Sequence, residues 1–294
     1  MIRRASLAAV AGVLALAAPL AAQTPSPISF TATTRPVVLV RGTVGTITVR
    51  PAPGSEIASL GGRAADEPLH FHADPTGGFT AVIGVPIEGP DSLVVTLVPS
   101  TAAAGDSVTV TIRVSEGAYR SERLQVASKY AKPDTASQRR IREEIDHARS
   151  VSRAAHETAR LWSAPFRPPR PGRVTSPFGA GRVLNGEVQS RHLGTDFAGV
   201  VGAPVRAANA GVVALVGGFY LAGNVVYVDH GEGLVTGYFH LSRVEVAQGD
   251  TVARGQIIGR VGQSGRVTGP HLHWIARYGN ITVDPMSLTK LREQ

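Results

Sequence analysis

Apolar residues in this chain repeat with a period of about two along most of its length, and with a helical period in one place only. Between residues 134 and 162, Ile141, Ile145, Ala148, Val151, Ala155, Ala159 and Trp162 form one stripe, while Arg139, Arg140, Arg142, Glu143 and Asp146 are left to meet water. Thr135 and Gln138 have the spacing of a capping box, and Pro165 bars continuation. His147 and His156 fall on opposite sides of such a helix and read as solvated surface histidines. A single helix between two strand-rich stretches points to a mainly β fold in two units joined by residues 131–170. The tail of that joint, FRPPRPGR, reads as a stiff proline-rich strap that holds the units at a set distance.

The front unit, residues 23–130, contains PVVLV, TITV, FTAVIGV, SLVVTLV and SVTVTIRV, separated by Pro, Gly and Asp clusters at the spacing of a β-sandwich. No catalytic constellation stands out in it. LHFHAD places His70 and His72 at a ligand-like spacing, but no carboxylate arrangement stands nearby in the sequence, and Phe71 reads as the buried side of a strand. These two histidines are therefore read as polar residues of a half-solvated strand and not as metal ligands.

Residues 1–22, MIRRASLAAVAGVLALAAPLAA, run from two arginines through small apolar residues to a small-residue end, the layout of a secretory signal peptide. The stretch is too short and alanine-rich for a good membrane anchor, so no stable membrane insertion is expected after its removal. The absence of cysteine rules out a lipoprotein attachment residue and a disulfide framework. A formal charge of +8, mostly from arginine, would draw the protein toward anionic polymers. Export favours the cell envelope over nucleic acid, although the base composition of the gene would also account for the arginines. A periplasmic or secreted protein is expected.

The last unit, residues 171–294, returns to short strands with Gly-containing turns, as expected for antiparallel hairpins. It carries His192, Asp196, His230, His240, His271 and His273. In a strand, His271 and His273 of GPHLHW would leave the same face, either as two polar residues on a wet surface or toward one groove. In HLGTD, a straight strand would put His192 and Asp196 about 13 Å apart at their Cα atoms, whereas donors on one zinc stand about 2.1 Å from it. A bend is required, and Gly194 is the residue able to supply it through a left-handed conformation. A third imidazole from the HxH pair would make two nitrogens and one carboxylate, a set that suits zinc and leaves a position for water.

SRHLGTDFAG, then GYFHLS, then VAQGDTVARGQIIGRVGQSGRVTGPHLHW resemble the core of the lysostaphin-like M23 zinc metallopeptidases, also described as LytM-type peptidoglycan endopeptidases. The resemblance covers about residues 171–288. It implies a catalytic domain of the duplicated-hybrid-motif type and, less specifically, an immunoglobulin-like front module. It further implies one zinc per chain held by His192, Asp196 and His273, with His240 and His271 flanking the reacting water, and peptidoglycan as the partner. His230 is assigned a positional role in its turn. Ile275 stands where many members of the family carry a glutamate, so the support of His273 is expected to differ here. A metal-free wall-binding protein or hydrolase activator on the same fold is the alternative, but such proteins typically lack ligands, and all five positions are filled here. An acyl-carrier module is excluded, because no lysine lies between residues 133 and 289 to carry the group. Since every proposed site residue lies in the last unit, residues 167–294 are expected to fold and work alone.

Overall fold

A computed structural model describes residues 30–55, 57–100, 107–124, 130, 133–184 and 188–291. The leader read at residues 1–22 lies outside the described residues. Strands β1 (Phe30–Arg35), β2 (Leu39–Val40), β3 (Val44–Pro51), β4 (Ser59–Ala64) and β5 (Glu67–His70) open the front unit. It continues with β6 (His72–Ala73), β7 (Phe79–Gly84), β8 (Ser92–Ser100), β9 (Val108–Ser115) and β10 (Ser121–Leu124). Strands β1 to β9 form two sheets, ordered β1-β3-β7-β6 and β2-β9-β8-β4-β5. The period of two is visible in β8, where Leu93, Val95 and Leu97 are buried while Val94 and Val98 face water.

Helix α1 (Thr135–Ala154) follows, with Asp134 as its cap: the Asp134 carboxylate accepts from the Ser137 N–H at 2.7 Å. The expected Thr135–Gln138 box does not form, because the Gln138 amide donates instead to the Pro133 carbonyl at 2.8 Å. The helix also stops sooner than the apolar stripe suggested. The chain beyond Ala154 is captured by a neighbouring turn, as Gly233 N–H donates to Ala155 O and Glu232 N–H to Thr158 O. Ala155 and Trp162 are buried as the pattern required, but Ala155 is the helix C-cap and Trp162 lies in irregular chain beyond it. Tertiary hydrogen bonds overrode local propensity here.

The remaining strands are β11 (Val174–Ser176), β12 (Gly181–Leu184), β13 (Val188–Arg191), β14 (Thr195–Ala198), β15 (Pro204–Arg206) and β16 (Gly211–Phe219). After them come β17 (Gly223–Gly231), β18 (Leu234–Val244), β19 (Thr251–Val252), β20 (Ile257–Val261), β21 (His271–Tyr278) and β22 (Ile281–Val283), with a short helix α2 (Pro285–Leu288). One large antiparallel sheet runs β11-β14-β21-β18-β17-β16-β19, and a smaller one runs β10-β12-β13. Strand β10, read as the end of the front unit, thus pairs in parallel with β12 beside the last unit.

The two units share a buried seam rather than standing apart. A Cβ placed on Gly84 would lie 2.9 Å from the Tyr278 Cβ, and the Tyr278 hydroxyl donates to Pro68 O at 2.6 Å. Asp284 N–H donates to Gly42 O at 2.6 Å, and Asn280 N–H to the Glu67 carboxylate at 2.8 Å. The proline-rich strap is not a spacer either: Phe166 is buried, and Arg206 N–H donates to Pro169 O at 2.9 Å.

His156, expected in solvent, sits in this seam with its side chain 9% exposed. Its Nε2 faces Glu67 at 3.1 Å and its Nδ1 faces His70 Nε2 at 2.9 Å. His72 meets the carboxylate of Glu232, which also pairs with Arg160 at 2.9 Å. Carboxylates therefore do stand beside His70 and His72, brought there by folding from distant positions. They bind the seam together, and among the described residues the one group of donors converging as on a metal lies elsewhere.

His230 is fully buried at the end of β17, as a structural residue must be if it is to hold a turn. Its Nδ1–H donates to Ala210 O at 2.7 Å and its Nε2 accepts from the Thr236 hydroxyl at 2.8 Å. Thr236 in turn accepts from Tyr238, which accepts from Ala208 N–H. Burial pushes the His230 pKa down to about 4, so the ring stays neutral in the fold. Above pH ~6.5 neither the folded nor the unfolded ring is charged. Below it the unfolded chain takes up a proton that the fold refuses, so stability falls as pH drops toward 4, by roughly 3 kcal/mol in all. In urea titrations at pH 7 and pH 4.5, His230→Gln should lose that part of the slope; an unchanged slope would remove His230 as its source.

Candidate active site

Strands β14 and β21 pair antiparallel in a register that sets Asp196 opposite His273 and Ala198 opposite His271. The alternation of β21 turns His271 and His273 to one face, where both line a groove of about 780 Å³. His192 reaches the same point because the chain bends at Gly194. The bend does not use the left-handed conformation that the sequence suggested, since Gly194 is absent from the glycines with positive φ. Glycine is needed for room: a Cβ at that position would lie 2.5 Å from His273 Cε1 and 2.7 Å from Trp274 O. Gly194→Ala should push His273 aside and weaken metal binding by roughly 10- to 100-fold, the range for lost support of a ligand. Competition against a chelator reads this directly, and unchanged affinity would refute it.

His192 Nε2 lies 3.1 Å from Asp196 Oδ1 and 3.0 Å from His273 Nδ1, and His273 Nδ1 lies 2.7 Å from Asp196 Oδ1. Two imidazole nitrogens and a carboxylate oxygen this close require protons or a cation between them, and the three could hold a metal ion. The tautomer of His192 fits that use. Its Nδ1 sits 2.9 Å from both Pro177 O and the Ser176 hydroxyl, so the proton belongs there and the Nε2 lone pair points inward. Burial would raise the Asp196 pKa, but hydrogen bonds from His192 and His273 outweigh it and hold the carboxyl well below the usual range.

His240 reaches the groove through a backbone irregularity. The pairing of β18 with β17 shifts register just before Leu241, and His240 adopts φ +61°. Its Nδ1–H donates to Ser264 O at 2.8 Å, while His271 Nδ1–H donates to Gly269 O at 2.8 Å. The two rings stand 4.9 Å apart, and His271 Nε2 is 3.7 Å from Asp196 Oδ1. Burial, with His273 and His271 adding to it, pushes the His240 pKa down to about 3, so this ring is a neutral base near pH 7.

All five residues singled out in the sequence therefore meet in one groove, and His230 lies outside it. Ser176, Pro177 and Ser264 orient these imidazoles and were not singled out. Ile275 packs with Ala148, Tyr227 and Phe239 under α1. An aliphatic residue suits that position because the helix covers this side of β21.

A mainly β domain whose open groove gathers a two-histidine, one-carboxylate centre with two further imidazoles beside it defines a class of metal-site proteins. Residues 190–285 match the family model "Peptidase family M23", and the chain carries a peptidase domain of that family. The peptidoglycan DD-endopeptidase ShyA of Vibrio cholerae is 49% identical over 83 residues, 28% of this chain and 19% of that one. The DD-carboxypeptidase/endopeptidase Mpg of Neisseria meningitidis is 42% identical over 116 residues, 40% of this chain and 27% of that one. The matches thus span about a fifth to a quarter of these relatives. A solved structure from Pseudomonas aeruginosa, assigned to peptidase M23, aligns over 85% of this chain and 94% of its own with 27% identity and TM-score 0.65. That likeness extends to the front unit.

Proposed function

We propose that the protein is an exported zinc-dependent endopeptidase that hydrolyses the peptide cross-links of bacterial peptidoglycan in the periplasm or outside the cell. The observation that carries this reading is the convergence of His192, Asp196 and His273 beside His240 and His271, both with Nδ1 tied to a backbone carbonyl. The domain family and the names of the relatives support the substrate. The basic surface and the leader-like first residues support the location.

His192 Nε2, Asp196 Oδ1 and His273 Nδ1 would hold the zinc. When bound, it would supply Lewis acidity toward the scissile carbonyl and a more acidic water. His240 and His271 leave Nε2 toward the groove, because each Nδ1 proton is spent on the backbone. Between them these atoms take the proton of the attacking water, donate to the developing oxyanion and return a proton to the leaving amine.

Purified full-length protein should contain one zinc per chain and convert cross-linked muropeptides of isolated sacculi to monomers, as read by metal analysis and mass spectrometry. Zinc-loaded protein that leaves sacculi intact would overturn the proposal in favour of a wall-binding module.

A further inference from the structure

Two of the three donors of the centre are placed by strand register, since Asp196 and His273 stand opposite each other across β14 and β21. His192 is placed differently, because it lies in the irregular chain between β13 and β14. The turn of residues 177–180 holds it. Pro177 O accepts from the His192 Nδ1–H at 2.9 Å, Gly179 N–H donates to His192 O at 2.7 Å, and His192 N–H donates to Ala180 O at 2.8 Å. Whatever fixes that turn also fixes the ligand.

The turn is covered by a residue of the front unit. Tyr119, in the chain between β9 and β10, meets Phe178 edge to face with ring centroids 6.2 Å apart, and lies so close over Gly179 that a Cβ there would run into its ring. The Tyr119 hydroxyl donates to Arg41 O, which anchors the ring to the front unit. The residue before His192 is tied in the same way. Arg191 donates through Nε to Glu88 at 2.5 Å and through Nη1 to Gly179 O at 3.2 Å, with its guanidinium 5.8 Å from the centre of the Tyr119 ring. Phe178 and His192 are both buried, so a shift of the turn is passed to the imidazole rather than absorbed by solvent.

We infer that Tyr119 is a positioning residue of the metal centre. By clamping the turn at Phe178 and Gly179 it keeps Pro177 O on the His192 Nδ1–H, and through it the front unit sets how tightly the peptidase domain holds its metal. The inference rests on the zinc reading above and gives the front unit a part in it.

The test uses the full chain loaded with zinc and a competing chelator, with melting of the metal-free protein as the measure of stability. Tyr119→Ala should bind zinc roughly 10- to 100-fold more weakly, the range for lost support of a ligand. Tyr119→Phe, which keeps the ring, should hold zinc as the wild type does. Gly179→Ala drives a methyl group into the ring from the other side and should loosen zinc as Tyr119→Ala does. Gly84→Ala is the control, because it disturbs the seam at Tyr278 instead of the turn. It should lower the melting temperature and leave zinc affinity unchanged. Wild-type affinity in both Tyr119→Ala and Gly179→Ala would overturn the inference. So would an equal loss of affinity in Gly84→Ala, the mark of a merely structural contact. Wild-type protein that takes up no zinc would instead overturn the metal reading itself.

Discussion

His273→Ala is expected to lose bound metal and hydrolysis together, while His271→Ala keeps its metal and loses turnover. His273 supplies one of three donors that lie within 4.8 Å of one another, and alanine leaves two, too few for a stable site of this kind. His271 has its Nδ1 on Gly269 O and its Nε2 3.7 Å from Asp196, beside the donor set rather than within it. Its loss should lower kcat by about 10²- to 10⁴-fold, or roughly 2.7 to 5.5 kcal/mol of barrier. His240→Ala should fall in the same range, and the double variant should be far from additive if both imidazoles serve one water. Metal analysis beside muropeptide release decides between the roles. Retention of metal by His273→Ala with its loss from His271→Ala would reverse them.

The second large effect concerns the front unit. Residues 167–294 contain every proposed site residue, which argued from the sequence for an independent fragment. The seam argues otherwise. Removing the front unit strips Gly84, Pro68 and Glu67 from Tyr278 and Asn280, and Gly42 from the start of α2. It also removes β10 from the small sheet and, with residues 133–166, the helix over Ile275. Exposing a buried aromatic or large aliphatic side chain costs about 1.5 to 3 kcal/mol, against a typical net stability of about 5 to 15 kcal/mol. Loss of Tyr278 burial together with the contacts of α1 should leave the fragment without a cooperative thermal transition at room temperature, as followed by circular dichroism. A fragment melting as sharply and as high as the full chain would show the seam to be dispensable.

The parts of the structure that were legible in sequence were those set by local pattern. Strand alternation and the helix start near Asp134 follow from period and spacing, whereas the grouping of Asp196 with His273 came from the family resemblance. The parts that were hidden depend on partners far along the chain. His156 looked solvated because Glu67 and His70 are more than eighty positions away. The helix end was misplaced because the turn at Gly233 takes over the carbonyls that another turn of helix would have used. Gly194 was correctly singled out, but for the wrong reason. Its lack of a side chain matters for the space beside His273, and a one-dimensional pattern cannot show what stands across a sheet. The bulge at His240 was invisible for the same kind of reason, since it is a property of two strands and not of one.

The contact of Gly84 with Tyr278 also bears on how proteins of this build diversify. Recombination that swaps front modules at the joint would bring a new residue against Tyr278, and even one methyl group there meets it at 2.9 Å. The glycine and the tyrosine therefore fit each other as a matched pair, with the Glu67–Asn280 hydrogen bond in the same seam. Chimeras built from this chain should therefore fold best where both sides of the seam come from one parent.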